Sequence, residues 1–292
     1  MEAALRDLLG EIRALEVVAR KNVSSLFTGN YLTQIPGRGL DFHEARHYVQ
    51  GDPIRHIDWK MTARMQQPYV RTFLEERQRE IFIALDVSPS MATGWQEKTK
   101  LEVAVETAAT LALSAVTAGD RLGFVTFADR VLVNDRPRAG RRQLFHALKT
   151  FVEARDQPTE PCALSDPRSA IHAIQQNRGR RFVVFLISDF IDHDVPEDLK
   201  YFHKRHDITL IHLYDPLEYA PFNPVRLPAF APEGHKTFAT VRPGETEGLA
   251  EMTGFLEDKA LQYGLTWGSF STRQAVSETL MDLFHQRRRL AR

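Results

Sequence analysis

The chain of 292 residues holds one cysteine, Cys162. No internal disulfide can staple it, which fits a reducing compartment. It has no apolar run of about 18 residues, the length a membrane-crossing helix needs. Glu2, Arg6, Asp7, Glu11 and Arg13 interrupt the apolar pattern of the N-terminus, unlike a secretion signal. An excess of charge of either sign is missing too: Lys+Arg and Asp+Glu each number 38, so no global attraction to nucleic acid or anionic lipid is indicated. There is no phosphate-binding P-loop and no Gly-x-Ser-x-Gly elbow, which argues against ATP hydrolysis and serine hydrolysis. These absences lead us to expect a cytoplasmic protein without a membrane span, not an enzyme and not a nucleic-acid binder.

What is present is a globular composition, with 43% hydrophobic and 26% charged residues. That suffices for a large core with a smaller module beside it. Leu5, Leu8, Ile12, Leu15 and Ala19 recur at helical spacing and predict an amphipathic helix over 1–22. Turn formers crowd 23–45, and 46–78 is dense in Arg, Asp and aromatics. From Glu80 the texture alternates. Apolar strands are expected at 81–85, 122–127, 182–187 and 208–213, with a short pairing strand at 131–133 and another near 265–267. Helices are expected at 101–118, 141–154, 168–176, 196–204, 247–263 and 273–287. The proline-rich 216–243 reads as an irregular connection with short strands. The basic stretch His285 to Arg289 reads as a solvated helix end, where cations suit the macrodipole. Alternating strands and helices imply a mainly parallel sheet covered on both faces, a Rossmann-like α/β domain at 79–292 after an N-terminal module at 1–78.

In such a sheet, ligands gather beyond the carboxyl ends of the strands. Two strand ends carry suitable chemistry, Asp86-Val87-Ser88-Pro89-Ser90-Met91 and Ile187-Ser188-Asp189. A carboxylate and two hydroxyls at alternate positions can converge inside a tight loop. Such hard oxygen ligands suit Mg2+, or Mn2+ or Ca2+, better than zinc. Helix capping and turn formation are the alternative roles for the same residues.

Asp-x-Ser-x-Ser between a buried strand and a long helix resembles the metal-ion-dependent adhesion motif of von Willebrand A domains. Upstream, the block Arg46-His47-Tyr48-Val49-Gln50-Gly51-Asp52-Pro53-Ile54-Arg55-His56-Ile57-Asp58-Trp59, followed by Ala63-Arg64, is similar to the signature of the bacterial domain of unknown function 58 family. That family's members commonly occur beside MoxR-type AAA+ ATPases. The resemblance implies a von Willebrand A-like fold in which Asp86, Ser88 and Ser90 form the first metal loop and Asp189 the last. The middle loop of the motif supplies a threonine; here Ser165 fits best, with Thr159 as the alternative. Pro53 stands where the family often has a second aspartate. The resemblance further implies an adaptor of a MoxR-type ATPase, whose metal accepts an acidic side chain from a protein partner. A metal-free scaffold with a degenerate loop and, below it, a metal-dependent hydrolase are the alternatives.

In the signature block, Arg46, Asp52, Arg55, Asp58 and Arg64 are expected to form an ion-pair lattice, anchored by Trp59 and Tyr48, that clamps residues 1–78 onto the α/β domain, or else a partner surface. His43-Glu44-Ala45-Arg46-His47 matches a zinc-protease pattern, but that chemistry needs both imidazoles on one helical turn and a third ligand. Gly39 and Gly51 leave little room for such a helix, and Cys162 reads as an unreactive thiol.

Overall fold

The computed structural model describes residues 2–28, 41–49, 52, 54, 57–74, 78–94, 98–156, 165–177, 181–191, 195–219 and 247–290. The chain divides into two compact units, Thr33–Gln78 and the combination of Met1–Leu32 with Arg79–Arg292. Helix α1 (Glu2–Thr28) therefore belongs with the α/β unit and not with the signature block, where the sequence reading groups it. The reason is its apolar stripe. Ile12, Ala19 and Val23 are buried, and Asn22 donates to Glu106 Oε1 at 2.9 Å and to Thr110 Oγ1 at 3.3 Å on a neighbouring helix.

The smaller unit carries strand β1 (Asp41–His47), helix α2 (Trp59–Met65) and strand β2 (Tyr69–Leu74). The two strands pair antiparallel, with a bulge between Phe42 and Glu44. Asp58 starts α2 by accepting the N–H groups of Lys60 and Met61, both at 3.1 Å.

The larger unit is a six-stranded sheet. Its strands are β3 (Glu80–Asp86), β4 (Arg121–Phe127), β5 (Val131–Arg138), β6 (Phe182–Ser188), β7 (Asp207–Tyr214) and β8 (Thr266–Ser271). The order is β5-β4-β3-β6-β7-β8, all parallel except β5. β3, β4 and β7 are buried at successive residues, as strands covered on both faces must be, whereas the edge strand β5 alternates between partly buried and exposed. Helices α3 (Lys100–Thr117), α4 (Arg141–Asp156) and α8 (Val276–Leu290) pack with α1 on one face. Helices α5 (Pro167–Gln175), α6 (Leu199–Phe202) and α7 (Glu247–Tyr263) cover the other. This is the expected Rossmann-like α/β architecture, a mostly parallel sheet flanked by helices.

Aromatic packing holds the second face. Phe82 and Phe182, fully buried, meet edge to face with ring centroids 5.0 Å apart. Gly123 on β4 pairs with Phe82, and a Cβ there would stand 2.7 Å from the Phe82 ring, so the close approach requires glycine.

Boundaries shift from the sequence expectation in places. The helix expected at 196–204 is a single turn at Leu199–Phe202, and β5 continues past 133 to Arg138. Arg287 is not a free helix end. It pairs with Asp207 and lies 6.0 Å from the centroid of the Phe185 ring. Most of the 216–243 connection lies outside the described residues. Among those described, no helix is long and apolar enough to cross a membrane.

Candidate functional site at the switch point of the sheet

Strand order reverses between β3 and β6, since the chain runs outward to β4 and β5 on one side and to β7 and β8 on the other. A crevice opens above such a point, beyond the carboxyl ends of the two strands. Asp86 ends β3, Ser188 ends β6, and Asp189 follows it.

The loop after β3 is built from local hydrogen bonds. Ser88 N–H donates to Asp86 Oδ1 at 2.9 Å, folding the chain back over its own carboxylate. Pro89 then opens a 3-10 turn, Pro89–Ala92, where its missing N–H costs nothing. Ser90 Oγ comes to 3.1 Å from Ser88 Oγ, and Met91 is buried beneath the loop. The second Asp86 oxygen draws in more distant elements. Ser165 Oγ and Ser188 Oγ both donate to Oδ2, each at 2.6 Å. The structure thus brings together Asp86, Ser88, Ser90 and Ser165; Thr159 lies outside the described residues.

Asp189 takes a different partner. It is buried, and its Oδ2 accepts from the fully buried Lys100 Nζ at 2.8 Å, while Oδ1 has no hydrogen-bond partner. Lys100 Nζ also lies 2.6 Å from Glu218 Oε1, in the 3-10 turn Pro216–Tyr219 after β7. Thr93 Oγ1 stands 3.0 Å from the same Glu218 oxygen and 2.6 Å from Ser90 O, which ties the acidic loop to this turn. The sequence reading missed Lys100 and Glu218. The signal for Lys100 was its place: it is the first residue of α3, after a capping box formed by Thr99 and Glu102. A cation is disfavoured at the positive end of a helix unless carboxylates surround it.

The electrostatics follow from burial. Burial, and then the Asp189 charge, push the Asp86 carboxyl up to about 6, against the lowering effect of the Ser165, Ser188 and Ser88 hydrogen bonds. Burial alone would lower the Lys100 ammonium, but Asp189 and Glu218 outweigh it and raise it to about 12. His212, beside Ser188 on the adjacent strand, is lowered to about 4 by burial, with Lys100 adding to the effect and Asp189 opposing it. Its Nδ1 lies 2.8 Å from Ser269 Oγ, and its Nε2 is buried without a partner. Phe190, buried directly after Asp189, holds a left-handed φ of 47°. A bulky residue adopts that conformation only where its surroundings enforce it.

The remaining candidates fall elsewhere. Arg46 and Asp52 form a bidentate pair, with both contacts at 2.7 Å, and Asp58 caps α2. Trp59 is 68% exposed, and Arg64 is exposed as well. A tryptophan in the first turn of a one-sided surface helix has no core to reach: α2 buries none of its residues. Arg55 and Cys162 lie outside the described residues. His43 and His47 sit on β1, where four residues span about 13 Å, so the backbone does not put them on one helical turn.

Among similar proteins, Rv1480 of Mycobacterium tuberculosis and Mb1516 of Mycobacterium bovis are each 29% identical over 211 residues, 72% of this chain. The match covers 66% of the length of those relatives. Of solved structures, BatB from Bacteroides thetaiotaomicron matches with a TM-score of 0.47 at 18% identity, over 72% of this chain and 99% of that one. The PilB minor pilin from Streptococcus sanguinis matches with a TM-score of 0.45 at 10% identity, over 75% of this chain and 64% of that one. The family model described as "Protein of unknown function DUF58" spans residues 44–225, more than half of the chain, and the chain belongs to that family.

Proposed function

We propose that the α/β unit is a von Willebrand A-like recognition domain that takes a divalent cation at Asp86, Ser88, Ser90 and Ser165, with Asp189 behind them, and offers the cation to an acidic side chain of a partner protein. The observation that carries this reading is the convergence on Asp86. One buried carboxylate gathers hydroxyls from two other elements at the switch point, where a Rossmann-like sheet places its ligands.

The residues fit a hard cation. Asp86, Asp189 and Glu218 bring three carboxylates against the single ammonium of Lys100, leaving an excess of negative charge inside the protein. Asp189 Oδ1 is a buried acceptor without a donor, a costly condition that a cation or its water would relieve. Among the described residues no group of three His, Cys, Asp or Glu side chains is placed to hold a metal. The donors gathered here are carboxylate and hydroxyl oxygens, hard ligands that suit Mg2+, with Mn2+ or Ca2+ as substitutes, better than zinc. The bound ion would supply an electrophilic position for a carboxylate; the chain's own residues hold and orient it.

The family resemblance suggests a MoxR-type AAA+ ATPase as the working partner in the cytoplasm. Metal-free scaffolding is the second reading, and one observation favours it: Lys100 already supplies a cation to Asp189.

Calorimetric titration of Mg2+ and Mn2+ into the wild type and Asp86→Ala tests the proposal. Binding by the wild type that weakens at least tenfold (about 1.4 kcal/mol) in the variant is expected. Equal affinity in both proteins sinks the assignment.

A further inference from the structure

Among the described residues, Lys100 is the one at this site whose charge opposes the proposed ligand. It is fully buried, and its ammonium is shared between Asp189 Oδ2 at 2.8 Å and Glu218 Oε1 at 2.6 Å. Its backbone N–H also donates to Thr93 O at 3.1 Å, and Thr93 Oγ1 contacts Glu218 and the Ser90 carbonyl. The lysine is thus wired to the Thr93 end of the acidic loop as well as to Asp189 and Glu218. Resting on the metal-dependent reading above, we propose that Lys100 is a tethered cation, a positioning residue that sets the metal affinity of the loop by competing for the same buried negative charge, with Glu218 as its counterweight.

The geometry gives the proposal its direction. Asp189 divides its two oxygens: one is held by Lys100 and the other, unpartnered, is left for the loop. Without an ion, the ammonium keeps Asp189 from facing Asp86 as one bare carboxylate facing another. With an ion bound, it becomes a like charge close by, and the cost of that repulsion weakens binding. Glu218 draws part of the ammonium's field away from Asp189. Removing it leaves the site less negative and directs the lysine's whole charge at Asp189. In a medium of effective dielectric about 20, a unit charge several ångströms away changes an ion's affinity by tenfold or more. Charge competition therefore predicts opposite signs for the two substitutions. A merely structural lysine predicts a loss in Lys100→Met, because Asp189 would lose the ammonium that holds it.

The experiment titrates Mn2+, followed by electron paramagnetic resonance, into the full chain as wild type, Lys100→Met and Glu218→Gln. Circular dichroism checks that each variant folds. Expected are a rise in affinity of at least tenfold in Lys100→Met and a fall of similar size in Glu218→Gln. Unchanged or weaker binding in Lys100→Met, with the wild type binding normally, overturns the inference and leaves the recognition reading intact. If Lys100→Met does not fold, Lys100→Gln, which removes the charge but keeps a polar side chain, takes its place: tighter binding supports the inference, and unchanged or weaker binding overturns it. A wild type that takes no Mn2+ while Lys100→Met binds it would overturn the recognition reading and uphold the tethered cation. Silence in both folded proteins removes the two together.

Discussion

The rim of the parallel sheet and the Arg/Asp-rich unit at 33–78 use similar residue types to opposite ends. In the smaller unit, charges are satisfied close by in sequence and near water: Arg46 pairs with Asp52, six residues on, and Asp58 caps the helix that begins beside it. At the rim, carboxylates and an ammonium are buried and find partners far along the chain. Lys100 reaches Asp189, 89 residues away, and Ser188 reaches Asp86, 102 residues away. A local pair survives a change of surroundings. A buried long-range network exists only while the whole sheet holds its strands in register, so it reports on the fold and depends on it. Burial strengthens every electrostatic interaction in such a network and penalises every unpaired one.

The sharpest way to test this contrast is to remove one member of the buried network. Asp189→Ala takes from Lys100 the carboxylate at 2.8 Å and leaves it with Glu218 alone. Removing one partner of a buried ion pair typically costs about 3–5 kcal/mol. We expect a loss near the lower end, because Glu218 remains. Urea unfolding measures it, and a loss below about 1 kcal/mol would mean that water reaches the lysine and that the rim is no more demanding than the surface.

How much of this was legible in the sequence depends on distance along the chain. The sheet was, because each strand is a compact apolar run with its own boundaries. Asp86, Ser88 and Ser90 were too, since their chemistry is contained in one loop. Ser165 was reached through family resemblance, not through spacing. Glu218 sits in a proline-rich stretch with no periodic pattern, and nothing in its neighbours announces a buried lysine more than one hundred residues earlier. Lys100 was visible only as an anomaly, a cation at the wrong end of a capped helix. Trp59 shows the opposite error. Density of Arg, Asp and aromatic residues was read as an anchored lattice, but composition does not say which side chains a two-turn helix can bury, and α2 buries none.

Acid should separate the two ends of the parallel sheet, with a smaller effect. His206 stacks on Phe182 at 4.8 Å, contacts Phe202, and accepts the Phe182 N–H at Nδ1. Burial, with Arg205 and Arg181 nearby, lowers it to about 4. The folded state therefore prefers neutral imidazole. Its contribution is complete above about pH 6.5, the ordinary histidine value, and is lost as the pH falls towards 4. Asp86 works the other way, since its folded value is raised to about 6 and protonation below that relieves the repulsion from Asp189. The two are separated by comparison with His206→Asn. Between pH 6.5 and 4.5 the wild type should lose about 1–2 kcal/mol more than the variant, about 4 °C in Tm. Parallel pH profiles of Tm in the two proteins would remove His206 as the cause.

The smallest effect is expected in the smaller unit. Arg46 and Asp52 have near-ideal bidentate geometry, and Asp52 Oδ2 also accepts the Val49 N–H at 2.9 Å. The guanidinium is nonetheless 40% exposed, so water competes for it and salt screens it. A double-mutant cycle with Arg46→Ala and Asp52→Ala should give a coupling of about 0.5–1 kcal/mol, reduced at 0.5 M salt. Each single variant also loses a local contact, the Asp52 variant the acceptor of the Val49 N–H and the Arg46 variant the donor to the His47 carbonyl, which is why the cycle and not a single variant isolates the pair. A coupling above about 2 kcal/mol, insensitive to salt, would place this pair in the same class as Lys100 and Asp189. The division between local surface pairing and buried long-range pairing would then fail where it looks most secure.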